Sequence, residues 1–156
     1  MEHFVEEALK QAILKEKKNF DFYQRAARTV SDRKTKQMFE LLACEEAYHM
    51  RTFLELYSGD EIGDLQNLMA PPDLSDPNCQ AYVDMVDADT RQQYALEISL
   101  REEKACMDYY SALTGSIREP DLHAVFEQAL TDTCNHYEMV KEEYNRIMDR
   151  DGEQAQ

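Results

Sequence analysis

Glu45-Glu46-Ala47-Tyr48-His49 is the stretch on which the fold turns. Glu46 and His49 are three residues apart, so on a helix they share one face. Phe39, Leu42, Phe53 and Leu56 recur on that same face at spacings of three and four, so it is otherwise apolar. A carboxylate and an imidazole therefore sit where a helical bundle keeps its core. Burying an ionised carboxylate costs several kcal/mol unless a cation, a proton or a set of donors compensates it. Taken alone, one Glu-x-x-His reads as a hydrogen-bonded core histidine beside a glutamate that reaches solvent more readily than as a metal ligand.

Working outward, the periodicity predicts four long helices. The first runs from about Glu2 to Val30, with Leu9, Ile13, Glu16, Phe20, Tyr23 and Ala27 in its stripe. The second, capped by Ser31 or Asp32, runs to Tyr57 and stops at Ser58-Gly59. So short a turn makes the two antiparallel. Residues 60–88 break the pattern. Asp76-Pro77 opens a short helix ending near Val86, within a long crossover between helices two and three. The third long helix runs from about Asp89 to Leu113 and ends at Thr114-Gly115; its stripe holds Leu96, Leu100, Glu103, Met107 and Tyr110. The fourth opens at Pro120, with Phe126, Ala129, Thr133, His136, Val140 and Ile147 in its stripe. The expected organisation is one domain over residues 1–150 and a frayed polar tail over 151–156.

An internal repeat changes the weight of the Glu-x-x-His. Glu16 to Glu103 and His49 to His136 are both steps of 87 residues. The same gapless step pairs Leu9 with Leu96, Tyr23 with Tyr110, Phe39 with Phe126 and Tyr57 with Tyr144. Two helix pairs in one register predict a pseudo-twofold bundle in which each copy brings a Glu, a Tyr and a His to the middle. Oxygen-rich ligands with one or two imidazoles suit iron or manganese better than a thiolate-type metal.

On these residues the chain resembles the rubrerythrin branch of the ferritin-like superfamily. The most specific marks are AILKEKKNFDFYQRAA at residues 12–27 and CEEAYH at residues 44–49. The resemblance implies an all-α, ferritin-like four-helix bundle. It implies Glu16, Glu46, His49, Glu103 and His136 as metal ligands, converging in one cluster. Tyr23 and Tyr110 would be the catalytic-site tyrosines whose hydroxyls orient the carboxylates. The implied cofactor is iron, one or two per chain, with manganese or zinc as alternatives. The implied activity is oxidoreductase chemistry on peroxide or dioxygen, with electrons from a separate donor, in a homodimer. The alternatives are a non-catalytic metal-binding or iron-handling module, and a scaffold whose metal site has degenerated.

Three departures from the family pattern bear on activity. The 87-residue step puts Thr133 where the second Glu-x-x-His requires its Glu, so one bridging carboxylate is missing. Cys106 stands where peroxidase-type rubrerythrins carry an additional carboxylate, and no C-x-x-C module is present for electron delivery. Three glutamates also supply three negative charges against the four positive charges of two divalent metals.

Composition bounds the rest. The 156 residues carry 17 basic and 32 acidic side chains, a formal net charge of −15, which argues against nucleic acid or an anionic membrane as partner. Cys44, Cys79, Cys106 and Cys134 have the scatter of reduced thiols rather than of a disulfide framework. The N-terminal stretch reads as an acidic amphipathic helix rather than a signal peptide, and the expected compartment is the cytoplasm.

Overall fold

The computed structural model describes residues 2–71 and 88–155, with side chains for 3–71 and 91–155. The short helix expected between Asp76 and Val86 lies outside the described residues. All regular structure among the described residues is helical: α1 (Glu2–Thr29), α2 (Arg33–Leu56), α3 (Leu65–Leu68), α4 (Ala88–Ser116) and α5 (Pro120–Gln154). The chain divides into two compact units, Met1–Gln92 and Gln93–Gln156. No helix among the described residues is long and apolar enough to cross a membrane.

In the first unit α1 and α2 form an antiparallel hairpin. Asp32, not Ser31, is the N-cap of α2: its carboxylate accepts from the Thr35 backbone N–H at 3.0 Å and from the Thr35 hydroxyl at 3.2 Å. At the other end the Glu6 carboxylate of α1 accepts from the backbone N–H groups of Ser58 and Gly59. Tyr57 closes α2 in extended conformation. A Cβ on Gly59 would stand 2.2 Å from the Tyr57 hydroxyl, so any larger residue there requires the Tyr57 ring to move aside. Beyond it the chain runs back along α1, tied by Lys10 to Glu61 and by Lys17 Nζ to the Ala70 carbonyl at 2.9 Å. The core between the two helices is Leu9, Ile13, Phe20, Phe39, Leu42 and Phe53. Leu56, expected on the buried face, is 43% exposed because α2 ends there.

The second unit contains the hairpin of α4 and α5. Gln93 Nε2 donates to Asp151 at 2.8 Å and Tyr144 Oη donates to Glu97 at 3.5 Å, which sets the two helices antiparallel. Pro120 occupies the first turn of α5, as expected, and Glu119 supplies the cap by accepting from Leu122 N–H at 2.7 Å. Two boundaries differ from expectation. α4 passes through Gly115 to Ser116, because Gly115 does not adopt the left-handed conformation that would end the helix. α5 continues to Gln154, so residues 151–154, expected as frayed tail, are helical.

The repeat survives into three dimensions inside each unit. Tyr23 stacks on Phe39 at 5.7 Å between ring centroids, and Tyr110 lies 6.1 Å from Phe126. Each such aromatic pair contributes about 0.5–1.5 kcal/mol beyond the area it buries. The surface ion pair Lys17–Asp21 of α1 recurs as Lys104–Asp108 of α4.

Candidate metal centre

Each half-site is built from one helical hairpin. In the first, the apolar stripe of α1 turns Glu16 inward and that of α2 turns Glu46 and His49 inward, so all three are buried. His49 Nδ1 lies 3.4 Å from Glu16 Oε2 and 3.7 Å from Glu46 Oε2. One ligand atom from each residue lies within 4.8 Å of both others. Ligands bonded to one divalent cation at about 2.1 Å stand roughly 3.0–3.5 Å apart for octahedral or tetrahedral angles, so these separations suit a shared metal with little adjustment. Two carboxylates and an imidazole are also the donor set for iron, manganese or zinc. The residues present therefore fit a metal ion.

In the second unit, Glu103 of α4 and His136 of α5 are both buried, with His136 Nδ1 3.7 Å from Glu103 Oε1. This pair repeats the Glu16–His49 pair of the first hairpin. No counterpart of Glu46 joins it from α5. Thr133 occupies that place at 2% exposure, and its hydroxyl donates to the Ala129 carbonyl of its own helix at 2.8 Å. Asp132, one residue away, is half-buried and accepts from Gln128 Nε2 at 2.8 Å.

Tyr23 and Tyr110 are fully buried, each two turns along the same face from Glu16 or Glu103, as the sequence predicts. Cys106, on the inner face of α4 three residues after Glu103, is buried and takes part in no disulfide. Sequence reasoning overlooked Glu143. It is buried on the α5 stripe that carries His136, Val140 and Ile147, and its carboxylate is held at both oxygens by the Arg146 guanidinium. The legible signal was its position seven residues after His136, with an arginine three residues further on.

One shifted acid lies on the hairpin surface. Burial raises the Asp21 carboxyl above the usual carboxylate range, against the opposing pull of Lys17 at 2.7 Å. A separate cleft of about 390 Å³ in the first unit is lined by Phe20, Ala27, Ala43, Cys44 and Met69 among others, and by none of the five candidate ligands.

Comparison with known proteins places this geometry in context. A hypothetical protein from Pyrococcus furiosus superposes with a TM-score of 0.75 at 20% identity, covering 93% of this chain and 90% of that one. A two-domain protein from Anabaena variabilis, containing DJ-1/ThiJ/PfpI-like and ferritin-like domains, superposes with a TM-score of 0.70 at 13% identity. That match covers 96% of this chain, which spans 38% of the longer protein. No curated protein matches the sequence. These likenesses show an all-α, ferritin-like four-helix bundle. The sequence model of the rubrerythrin family matches residues 7–144, a span that holds every candidate ligand, and the chain belongs to the rubrerythrin family.

Proposed function

We propose that the protein is a non-haem iron oxidoreductase that reduces peroxide or reacts with dioxygen at its buried carboxylate–histidine residues. The observation that carries this reading is the buried Glu16–Glu46–His49 trio, whose pattern returns as Glu103–His136, in a chain of the rubrerythrin family. Bound iron would relay the electrons and supply the Lewis acidity. The glutamates and histidines hold the metal in a dry surrounding, where their charge is unscreened and side reactions with bulk water are suppressed. The buried Tyr23 and Tyr110 hydroxyls, two turns along the same faces, orient the carboxylates and hand on a proton. Reduction of one peroxide to two waters consumes two electrons and two protons. A reduced electron donor supplies those electrons.

A second reading, metal binding or iron handling without catalysis, is favoured specifically by Thr133, which removes a carboxylate the family pattern supplies. One experiment separates the two. Protein purified anaerobically from iron-replete cells is assayed for metal, then exposed to hydrogen peroxide while ferrous oxidation and peroxide loss are followed. Iron content of one to two per chain with stoichiometric peroxide consumption supports the enzyme. Iron without peroxide consumption supports handling alone, and absence of metal removes both.

A further inference from the structure

The first hairpin carries a cleft that the metal centre does not use, about 390 Å³ in volume, a size that encloses a small ligand. Its floor is apolar: Phe20 and Ala27 of α1 line it together with Ala43 and Ala47 of α2. Alanine at three of these four positions leaves a groove between the helices that larger side chains would have filled. Along α1 the groove runs from Phe20 to Arg28, eight residues, or about 12 Å at the helical rise. Met69, which closes α3, also lines the cleft and is 41% exposed. Lys17 of α1 holds the adjoining Ala70 carbonyl at 2.9 Å, which sets Met69 at the Phe20 end.

The other end of the cleft is cationic. Arg28, in the last turn of α1, and Lys36, near the start of α2, line it beside the turn that joins the helices. Among the described residues neither forms an ion pair, not even Lys36 with Glu40, which lines the same cleft one helical turn on. A chain of 32 acidic and 17 basic side chains has carboxylates to spare for such pairing. Residues 25–36 nonetheless gather Arg25, Arg28, Arg33, Lys34 and Lys36 against Asp32 alone. The first turn of α2 holds no acidic residue, although a helix N-terminus favours negative charge. These cations therefore add to the positive end of the helix, an arrangement that draws in an anion rather than one that stabilises α2. Within the cleft itself, Arg28, Lys36 and Glu40 leave a single net positive charge.

We propose that this cleft binds a straight-chain monocarboxylate of about ten carbons, a length that fits the groove of about 12 Å. Its carboxylate sits on Arg28 and Lys36, and its chain lies along the apolar floor toward Met69. One negative charge answers the single net positive charge of the cleft. The Arg28 guanidinium can take both carboxylate oxygens, and the unbranched Met69 side chain adapts to the end of the chain. A purely apolar occupant would leave both cations unanswered, and an inorganic anion would leave the floor in water. The inference does not depend on the metal-centre reading, since none of the five candidate ligands lines the cleft.

The test is isothermal titration calorimetry of the full chain with decanoate, run beside alkylation of Cys44 by iodoacetamide read by peptide mass spectrometry. Cys44 is exposed and lines the cleft, so its alkylation reports occupancy without any substitution. The unmodified chain should bind one decanoate, which should slow Cys44 alkylation and leave that of Cys134, in the second unit, unchanged. Acetate, which lacks the chain, and decyltrimethylammonium, which carries the opposite charge, should do neither. Arg28→Gln combined with Lys36→Gln should weaken decanoate binding about tenfold. Ala47→Leu, which fills the half-buried part of the floor, should abolish it. Thermal melts establish that each variant is folded, and the ligand comparisons on the unmodified chain need no variant. Absence of saturable decanoate binding, equal binding of the ammonium compound, or undiminished affinity in the double variant overturns the proposal. Protection of Cys44 that rises with protein concentration in the absence of ligand assigns the cleft to a second copy of this chain, and overturns it as well.

Discussion

Thr133→Glu should change stability in opposite directions with and without metal. Thr133 is buried and its hydroxyl is satisfied by the Ala129 carbonyl. A glutamate at that point carries its carboxylate onto the face of His136, where no lysine or arginine among the described residues of the second unit is buried to pair with it. An uncompensated buried carboxylate costs about 3 kcal/mol. For a chain of this size each kcal/mol moves the melting temperature by roughly 2–4 °C, so the metal-free variant should melt about 6–12 °C below the unmodified protein. A metal that binds only the folded state, supplied at about one hundred times its Kd, returns about 2.7 kcal/mol per site. The added carboxylate completes a second Glu-x-x-His with His136, so saturating manganese(II) should bring the two melting temperatures to within about 3 °C of each other. Far-UV circular dichroism melts of both proteins, with chelator and with metal, measure all four values. A variant as stable as the parent under chelator would refute the burial argument. A deficit that persists undiminished in saturating metal would show that position 133 does not face a metal, and the half-site account would fail.

Two further outcomes follow from the first hairpin. The raised Asp21 carboxyl means that protonation of this group favours the fold: its contribution is fully present below the unfolded carboxylate value and is lost as pH rises through the folded one. Asp21→Asn should therefore leave stability at neutral pH unchanged or raised by about 0.5 kcal/mol at most after solvent screening, with the advantage disappearing in acid; urea titrations at both pH values that show a loss at neutrality would mean the Lys17 ion pair outweighs burial. Asp32→Ala removes the acceptor of the Thr35 N–H at the start of α2 and should cost about 1 kcal/mol in the same assay, while Ser31→Ala should cost nothing measurable.

What the sequence determined by itself is whatever helical periodicity and local chain chemistry control. Side chains three and four apart share a face whatever the helix packs against. The Glu46–His49 face, the matching Glu103 and His136, and the Tyr23 and Tyr110 positions were therefore legible in the residue spacing alone. The 87-residue register was legible for the same reason, and it reappears as paired Tyr–Phe and Lys–Asp contacts. The tertiary structure decided what depends on packing between segments far apart in the chain. That Glu16 meets His49 at 3.4 Å requires α1 and α2 to dock in one particular register, which no stripe specifies. The choice of Asp32 over Ser31 as cap was settled by the path of the turn and by the Gln92 side chain, whose oxygen accepts the Asp32 N–H. Leu56 is exposed because α2 stops beneath it, although its hydrophobicity placed it in the core. Glu143 is the reverse case: its charge argued for solvent, yet the Arg146 fork travels with it and offsets the desolvation. Gly115 stayed helical because it does not turn left-handed, so α4 ends one residue later at Ser116, and α5 runs on through residues 151–154 to Gln154.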